Sequence, residues 1–251
     1  MKRAVATSLL LVTATLWFPS HTRAGTVAVR FTEGVAHGFP VLRSVEGEQL
    51  AAGEFTQVAR DDLVENRFVF RFRDGSLYDE NVVFSQRGVF RLERYRIVQR
   101  GRSFPETIEA SIDRSTGRYD VRYQADEDAV EERLSGHFTL PEDVYSGMLG
   151  TLMKNLAPAE SPIVHVLVFT PQPRVVKMQI AAAGEDTMTL GGRPLPTLRY
   201  QIKPQLGMLA SLLVIDLPPI QCWVITGDAP AFVKFQGPLY FMGPVWRIEL
   251  N

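Results

Sequence analysis

Three histidines follow residue 24, and histidine is the side chain best suited to bind a metal or to transfer a proton near neutral pH. They are His37, His137 and His165. None lies in a His-x-x-x-His pattern or beside a glutamate at the spacing of a zinc site. His165 is flanked by Val164 and Val166, which is typical of a hydrogen-bonded core histidine. We therefore predict no metal site. This prediction would be reversed if the three histidines came together in the folded chain.

The nucleophilic side chains also lack a catalytic setting. Ser146 lies close to Gly147 and Gly150, yet neither Gly-x-Ser-x-Gly nor Ser-x-x-Lys surrounds any serine. Cys222 lies in the apolar run 220–225, and burial of this kind raises the pKa of a thiol and makes it inert. No glycine-rich phosphate loop is present, which argues against a nucleotide cofactor. These observations favour a protein without cofactors and without enzymatic activity.

Acidic side chains are densest between residues 126 and 132. The acids of this patch are Asp126, Glu127, Asp128, Glu131 and Glu132. A calcium ion takes oxygen ligands of this kind, but the spacing of a calcium-binding loop with its central glycine is missing. We expect a solvated loop here.

The first 24 residues have the three parts of a secretory signal. Lys2 and Arg3 are followed by 15 mainly apolar residues, 4–18, and then by a polar stretch that ends at Ala24. A membrane-spanning helix needs about 20 apolar residues, so cleavage between Ala24 and Gly25 is the better interpretation. The only cysteine, Cys222, is far from that cut, so a lipid has no acceptor there. We expect a periplasmic or secreted protein with no transmembrane anchor after processing, folded as one domain over residues 25–251.

Net charge argues against a general nucleic-acid binder. Removing Lys2, Arg3 and Arg23 from the 27 basic residues leaves 24 against 28 acidic residues, a net charge of −4. Binding to a phosphate backbone needs a concentrated basic face instead. The arginines between residues 87 and 102 alternate with acidic and apolar residues, which is typical of a solvated sheet face.

Most of the chain shows the two-residue periodicity of β-strands. Phe68, Phe70 and Phe72 fall on one face of a strand, and Asp74 with Gly75 then predicts a tight hairpin turn. Further strands are predicted at residues 77–84, 89–98, 108–112, 119–123, 163–169, 175–181, 198–202, 220–226, 231–235 and 245–250. The predicted fold is mostly β, a strongly curved antiparallel sheet or half-barrel meander with one or two covering helices.

Two apolar segments are expected to cover this sheet. A helix is predicted over residues 141–156 because proline suits its first position and Pro158 blocks its continuation. The segment 206–217 is too short to span a bilayer and is either a buried helix or an apolar flap beside a ligand cavity. The predicted ligand-binding residues are the apolar side chains of both segments: Tyr145, Met148, Leu149, Leu152, Met153, Met208, Leu212 and Leu213.

The last strand follows a loop in which two Gly-Pro pairs, at residues 237–238 and 243–244, bracket Leu-Tyr-Phe-Met. This loop is interpreted as a hydrophobic plug at one end of the sheet, or else as a binding loop. Together with Trp246, Arg247, Ile248 and Glu249, and with residues 95–112 and 200–207, it resembles a family of uncharacterised exported bacterial proteins. The resemblance implies a half-barrel similar to the periplasmic lipoprotein carriers, which hold acyl chains between a concave sheet and covering helices.

Three functions remain open on sequence alone. The first is a non-enzymatic carrier that holds an apolar or lipid-like ligand between the sheet and its helices. The second is a scaffold or protein-interaction module of the cell envelope, docking a partner through residues 238–244. The third is an enzyme of unrecognised type that would depend on His137 or His165.

Overall fold

A computed structural model describes residues 25–205 and 220–250, and these residues form 15 strands and one short helix. The first eight strands are β1 (Ala36–Gly38), β2 (Pro40–Ser44), β3 (Gln49–Arg60), β4 (Leu63–Phe72), β5 (Leu77–Arg87), β6 (Val89–Arg100), β7 (Thr107–Asp113) and β8 (Arg118–Gln124). Then follow β9 (Glu132–His137), α1 (Leu149–Asn155), β10 (Ile163–Phe169), β11 (Pro173–Leu190), β12 (Arg193–Pro204), β13 (Ile220–Ile225), β14 (Ala231–Gly237) and β15 (Trp246–Leu250). The predicted export signal, residues 1–24, and the segment 206–217 lie outside the described residues.

All strand pairs are antiparallel and belong to one sheet, in the order β10-β11-β12-β13-β14-β15-β2-β3-β4-β5-β6-β7-β8-β9, with β1 added on β3. Almost every strand therefore pairs with its sequence neighbour, as short hairpin connections favour. The two ends of this order, β10 and β9, are not paired with each other, so the sheet does not close. The prediction of a mostly β antiparallel meander is confirmed.

The hairpin between β4 and β5 shows how local sequence sets this register. Phe70 and Phe72 are buried while Arg71 between them is exposed, which is the predicted alternation. The turn depends on Gly75, whose φ of +85° lies in a region that side chains with a Cβ avoid. Asp74 Oδ1 accepts a hydrogen bond from the Ser76 backbone N–H at 2.9 Å and completes the turn.

The register of β3 to β7 places inward-facing side chains in three parallel rows. The first row is Gly53, Phe70, Tyr78, Gln99 and Ile108; the second is Phe55, Phe68, Glu80, Ile97 and Ala110; the third is Gln57, Asn66, Val82, Tyr95 and Ile112. Side chains directly opposite each other lie about 4.5–5.5 Å apart at Cβ. Four polar residues of these rows, Gln57, Asn66, Glu80 and Gln99, therefore lie on the same inner face as the apolar side chains.

The helix is shorter than predicted, because the first half of residues 141–156 is not helical. α1 begins only at Leu149, after Gly147, whose φ of +68° cannot belong to a right-handed helix. Before that glycine the chain pairs with β10: His165 N–H donates to the Asp143 carbonyl and Tyr145 N–H donates to the His165 carbonyl, both at 2.9 Å. The predicted end is confirmed, since Leu156 is already extended two residues before Pro158.

The loop before β15 packs an aromatic ring against the core. Tyr240 meets Phe104 and Trp246 edge to face, with ring centroids 5.5 and 6.0 Å apart. Phe72 adds a further contact to Trp246 at 5.5 Å. Such contacts contribute about 0.5–1.5 kcal/mol each beyond simple burial. Tyr240 thus packs against the core, and the plug interpretation stays a prediction beside the binding loop, since residues 238–243 also line a cavity.

Candidate ligand-binding cavity

A cavity of about 630 Å³ lies between the inner face of the sheet and α1. It is lined by strands from both halves of the sheet order, β3 to β7 on one side and β10, β11, β13 and β14 on the other. Strands so far apart in the order can share a cavity only if the sheet curves strongly around it, as the sequence predicted. The volume falls within the roughly 300–1,000 Å³ of small-molecule sites.

Large apolar side chains make up most of the cavity wall. Those contributed by the sheet include Phe55, Phe68, Phe70, Ile97, Phe232 and Phe235. On the other side α1 packs against β13 and β14, and it faces the cavity with Leu149, Gly150, Thr151 and Lys154. A wall of this composition suits an apolar molecule, because removing apolar surface from water is worth about 25 cal/mol per Å².

Three glutamates line the cavity, Glu33, Glu80 and Glu106, and Glu80 lies in the middle of the apolar wall. Glu80 stands between Phe68 and Ile97 in the middle row, and the Tyr95 hydroxyl donates a hydrogen bond of 2.7 Å to its Oε1. Burial raises the pKa of Glu80 above its usual value, against the opposing effect of hydrogen bonds from Tyr95 and Tyr78. Burial also raises the pKa of both tyrosines well above the ordinary value. The environment therefore favours the neutral acid at Glu80 more than water does.

Two buried amides beside Glu80 have polar atoms without a protein partner. They are the Asn66 Oδ1 and Gln99 Nε2 atoms, and the two residues are only 4% and 2% exposed. Both line the cavity. A buried polar atom left without a hydrogen bond costs about 1–3 kcal/mol, and such atoms are uncommon in folded proteins. Gln99 Nε2 is a hydrogen-bond donor and Asn66 Oδ1 an acceptor, and neither atom is exposed to a water-sized molecule in the cavity.

Lys154, the basic residue of α1 that lines the cavity, forms an ion pair with Glu33. Lys154 Nζ lies 2.5 Å from Glu33 Oε1, and both side chains are largely buried. Gln57 Nε2 donates to the other carboxylate oxygen of Glu33 at 3.0 Å. This ion pair therefore fixes α1 to the sheet and to residues 25–34 rather than offering a free cation to a ligand.

Only one of the described residues that were predicted to bind a ligand lines the cavity. Tyr145, Met148, Leu152 and Met153 are at most 1% exposed and pack into the core, away from the cavity lining. Leu149 alone among the described ones lines the cavity. Met208, Leu212 and Leu213 lie outside the described residues. The buried apolar side chains of α1, Leu152 and Met153, therefore anchor the helix to the core, and Leu149, Gly150, Thr151 and Lys154 face the cavity.

Sequence reasoning missed Glu80, Asn66 and Gln99. A signal was present for Glu80, since it lies in phase with Tyr78 and Val82, which point inward on the same strand. A polar residue at an inward-facing position of an alternating strand is therefore a useful sign of a site.

Three of the groups considered for catalysis or metal binding, Ser146, His165 and His37, form hydrogen bonds with other residues of the protein. Ser146 Oγ donates to the Leu167 carbonyl at 3.1 Å and accepts from the Leu167 N–H at 2.6 Å. His165 Nδ1 lies 2.8 Å from Asp143 Oδ1, and His37 Nε2 lies 3.1 Å from Glu54 Oε1.

Metal-binding side chains do not gather in groups of three or more anywhere within residues 25–205 and 220–250. Cys222 is fully buried as predicted, and this burial raises the pKa of its thiol. Among the helical residues that the structure describes, none forms a helix long and apolar enough to cross a membrane.

No family model and no curated protein matches the chain. Among solved structures it is similar to the crystal structure of a beta-barrel-like protein of the domain of unknown function DUF1849 from Brucella abortus. The two are 12% identical, the match covers 88% of this chain and 98% of that one, and the TM-score is 0.44. Neither a binding role nor a cellular location transfers at this level of similarity. The similarity to lipoprotein carriers stays a prediction.

Proposed function

We propose that this protein binds an apolar or lipid-like small molecule in the cavity between the curved sheet and α1, without catalysing a reaction. The observation that carries the proposal is the aromatic-lined cavity of about 630 Å³. Binding sites for small molecules are typically concave, largely apolar and lined by aromatic side chains with a few polar groups, as this cavity is.

The binding would occur outside the cytoplasm. Residues 1–24 have the pattern of a cleaved export signal, and apolar molecules need a carrier to cross an aqueous compartment. We therefore propose a periplasmic or secreted carrier or reservoir.

Native mass spectrometry of the protein, purified without detergent, tests this function. We expect a mass increment that organic extraction removes, and we expect Leu149→Trp, which extends into the cavity from α1, to lack it. Leu63→Trp is the matched control, because Leu63 is 48% exposed on β4 and points to solvent. Circular dichroism verifies that both variants fold. An increment retained by folded Leu149→Trp, or no increment in the wild type, contradicts the proposal.

A second function has one observation in its favour. Phe241 and Met242 are 54% and 59% exposed, although Tyr240 beside them is partly buried against the core. Exposed apolar side chains at the rim of a cavity can dock a protein partner. Pull-downs with Phe241→Ser and Met242→Ser address this role. Loss of a partner while the ligand increment stays would favour a docking module.

A further inference from the structure

The carboxyl group of Glu80 lies in the cavity without a cation beside it. Glu80 points to the inner face and is only partly buried there, so part of its side chain is open to the cavity. No basic side chain within residues 25–205 and 220–250 forms an ion pair with it, and residues 206–219 contain no lysine, arginine or histidine. We propose that Glu80 binds the amino group of a single-chain amphiphile whose hydrocarbon tail occupies the cavity. This inference rests on the proposed function and specifies the chemistry of its ligand.

Groups from both sides of the cavity fix the position of this carboxyl. The Tyr95 hydroxyl donates to Glu80 Oε1 at 2.7 Å, and Tyr78 adds a hydrogen bond from the same strand as Glu80. From the side of α1, the backbone of Gly147 lies against the carboxyl, since an added Cβ would come within 3.2 Å of Glu80 Cδ. A carboxylate has about four acceptor positions, so it can accept a further hydrogen bond from a ligand.

Aromatic rings around Glu80 add a second attraction for a cation. Phe68 lies directly opposite Glu80 on β4, and its ring centroid is 6.5 Å from that of Phe70. The ring of Phe70 is in turn 6.4 Å from that of Tyr78. The faces of such rings attract an ammonium group. Phe68 and Phe70 also belong to the apolar wall, so the tail of the ligand would meet apolar side chains at once.

Both basic side chains of the described cavity wall already have acidic partners. Lys154 Nζ lies 2.5 Å from Glu33 Oε1, and His37 Nε2 lies 3.1 Å from Glu54 Oε1. The second pair is about half exposed to water. A carboxylate head group would therefore find no free cation on the described wall, and a buried ion without a partner is costly.

Glu106 adds a further carboxyl to the wall. It comes just before β7, and it accepts a hydrogen bond from the Tyr123 hydroxyl. Ile108, two residues later, belongs to the row of Tyr78, so Glu106 lies beyond that row on the far side from Glu80. Glu80 and Glu106 together give the wall an excess of acidic groups, which attracts a cation and repels an anion.

The raised pKa of Glu80 is compatible with an amine ligand. Burial raises this pKa and favours the neutral acid. An ammonium group beside the carboxyl would lower the pKa again, because a nearby opposite charge favours the ionised form. Binding of an ammonium therefore releases a proton to water from each Glu80 that is protonated in the free protein.

Ligands that share one tail and differ in their head group test this inference. The uncharged fluorophore N-phenylnaphthylamine is bound to the full processed protein at neutral pH and displaced by decylamine, decanol or decanoate below their aggregation limits. We expect decylamine to compete about tenfold more strongly than decanol, the effect of one hydrogen bond between charged groups, and decanoate to compete least. Decylamine no stronger than decanol, or decanoate the strongest, overturns the inference while the proposed function stands. If neither the fluorophore nor any of the three ligands binds, the proposed function itself fails.

Variants that each remove one carboxyl charge assign the preference to Glu80. Glu80→Gln should bring decylamine close to decanol, with each competition referred to the fluorophore affinity of the same variant. Glu106→Gln should reduce the preference less. Glu65→Gln is the matched control and should leave it unchanged, because Glu65 is exposed on β4 and bonds Asn81. Circular dichroism verifies that the variants fold. An unchanged preference in folded Glu80→Gln, or an equal or larger loss in Glu106→Gln or Glu65→Gln, contradicts the assignment.

Discussion

Replacing Gly147 by alanine tests the arrangement that holds α1 above the sheet. Gly147 adopts a φ of +68°, and an added Cβ would approach Val82 Cγ2 well inside 3.0 Å, with Glu80 Cδ at 3.2 Å. Val82 is 1% exposed, and its β-branched side chain is restricted in rotation. The substitution therefore combines a strained backbone with an overfilled core.

Both costs can be estimated. The left-handed backbone costs an alanine about 1–2 kcal/mol. Forcing an extra carbon into a packed core costs about 1–3 kcal/mol. We expect Gly147→Ala to lower the free energy of unfolding by about 2–5 kcal/mol.

Urea unfolding followed by tryptophan fluorescence measures this loss. Gly88→Ala is the matched control, because Gly88 has a φ of +73° and nothing lies within 4 Å of an added Cβ, so only the backbone cost remains. Adding Val82→Ala to Gly147→Ala should couple favourably, since it removes the atom that clashes. The close contact between Gly147 and Val82 of β5 is contradicted if Gly147→Ala lowers stability no more than Gly88→Ala does. It is also contradicted if Gly147→Ala and Val82→Ala have additive effects.

Three further outcomes follow from buried groups. Leu152→Ala should cost about 2–5 kcal/mol in the same urea assay because Leu152 is fully buried, and a loss below about 1 kcal/mol would contradict core packing of α1. Cys222 should not react with a thiol reagent until urea unfolds the chain, since burial raises its pKa; rapid labelling in buffer would show an open site. Burial raises the folded-state pKa of Glu80 above 4.5, so ionisation of this carboxyl destabilises the folded protein. As the pH rises above 4.5, the wild type should lose stability relative to Glu80→Gln by up to about 1.4 kcal/mol per pH unit, until the folded-state pKa is passed. A stability difference that does not change with pH would contradict this.

Strand patterns were predictable wherever alternation decided which side faces inward. Phe68, Phe70 and Phe72 lie as their spacing predicts, and the predicted strand 163–169 coincides with β10. Short hairpins fix such pairs locally, so the information is contained in neighbouring residues.

The start of α1 and the position of the site could not be read in this way. Residues 141–148 carry a helical apolar pattern, yet Gly147 turns the chain and Val144 pairs with β10, a contact set by distant residues. Whether Met148 and Leu152 face a cavity or a filled core likewise depends on packing across the whole sheet. Glu80 was within reach of the pattern, since its inward phase is visible in the sequence.

The most direct test of ligand binding between the sheet and α1 is a crystal structure of the protein soaked with dodecanol that carries bromine at its tail end. The anomalous signal of bromine locates the tail without assumptions about its pose. We expect one bromine peak inside the cavity, beside the aromatic wall that includes Phe68 and Phe232. A peak only on the outer surface, or an inner face filled by protein side chains, would contradict the account.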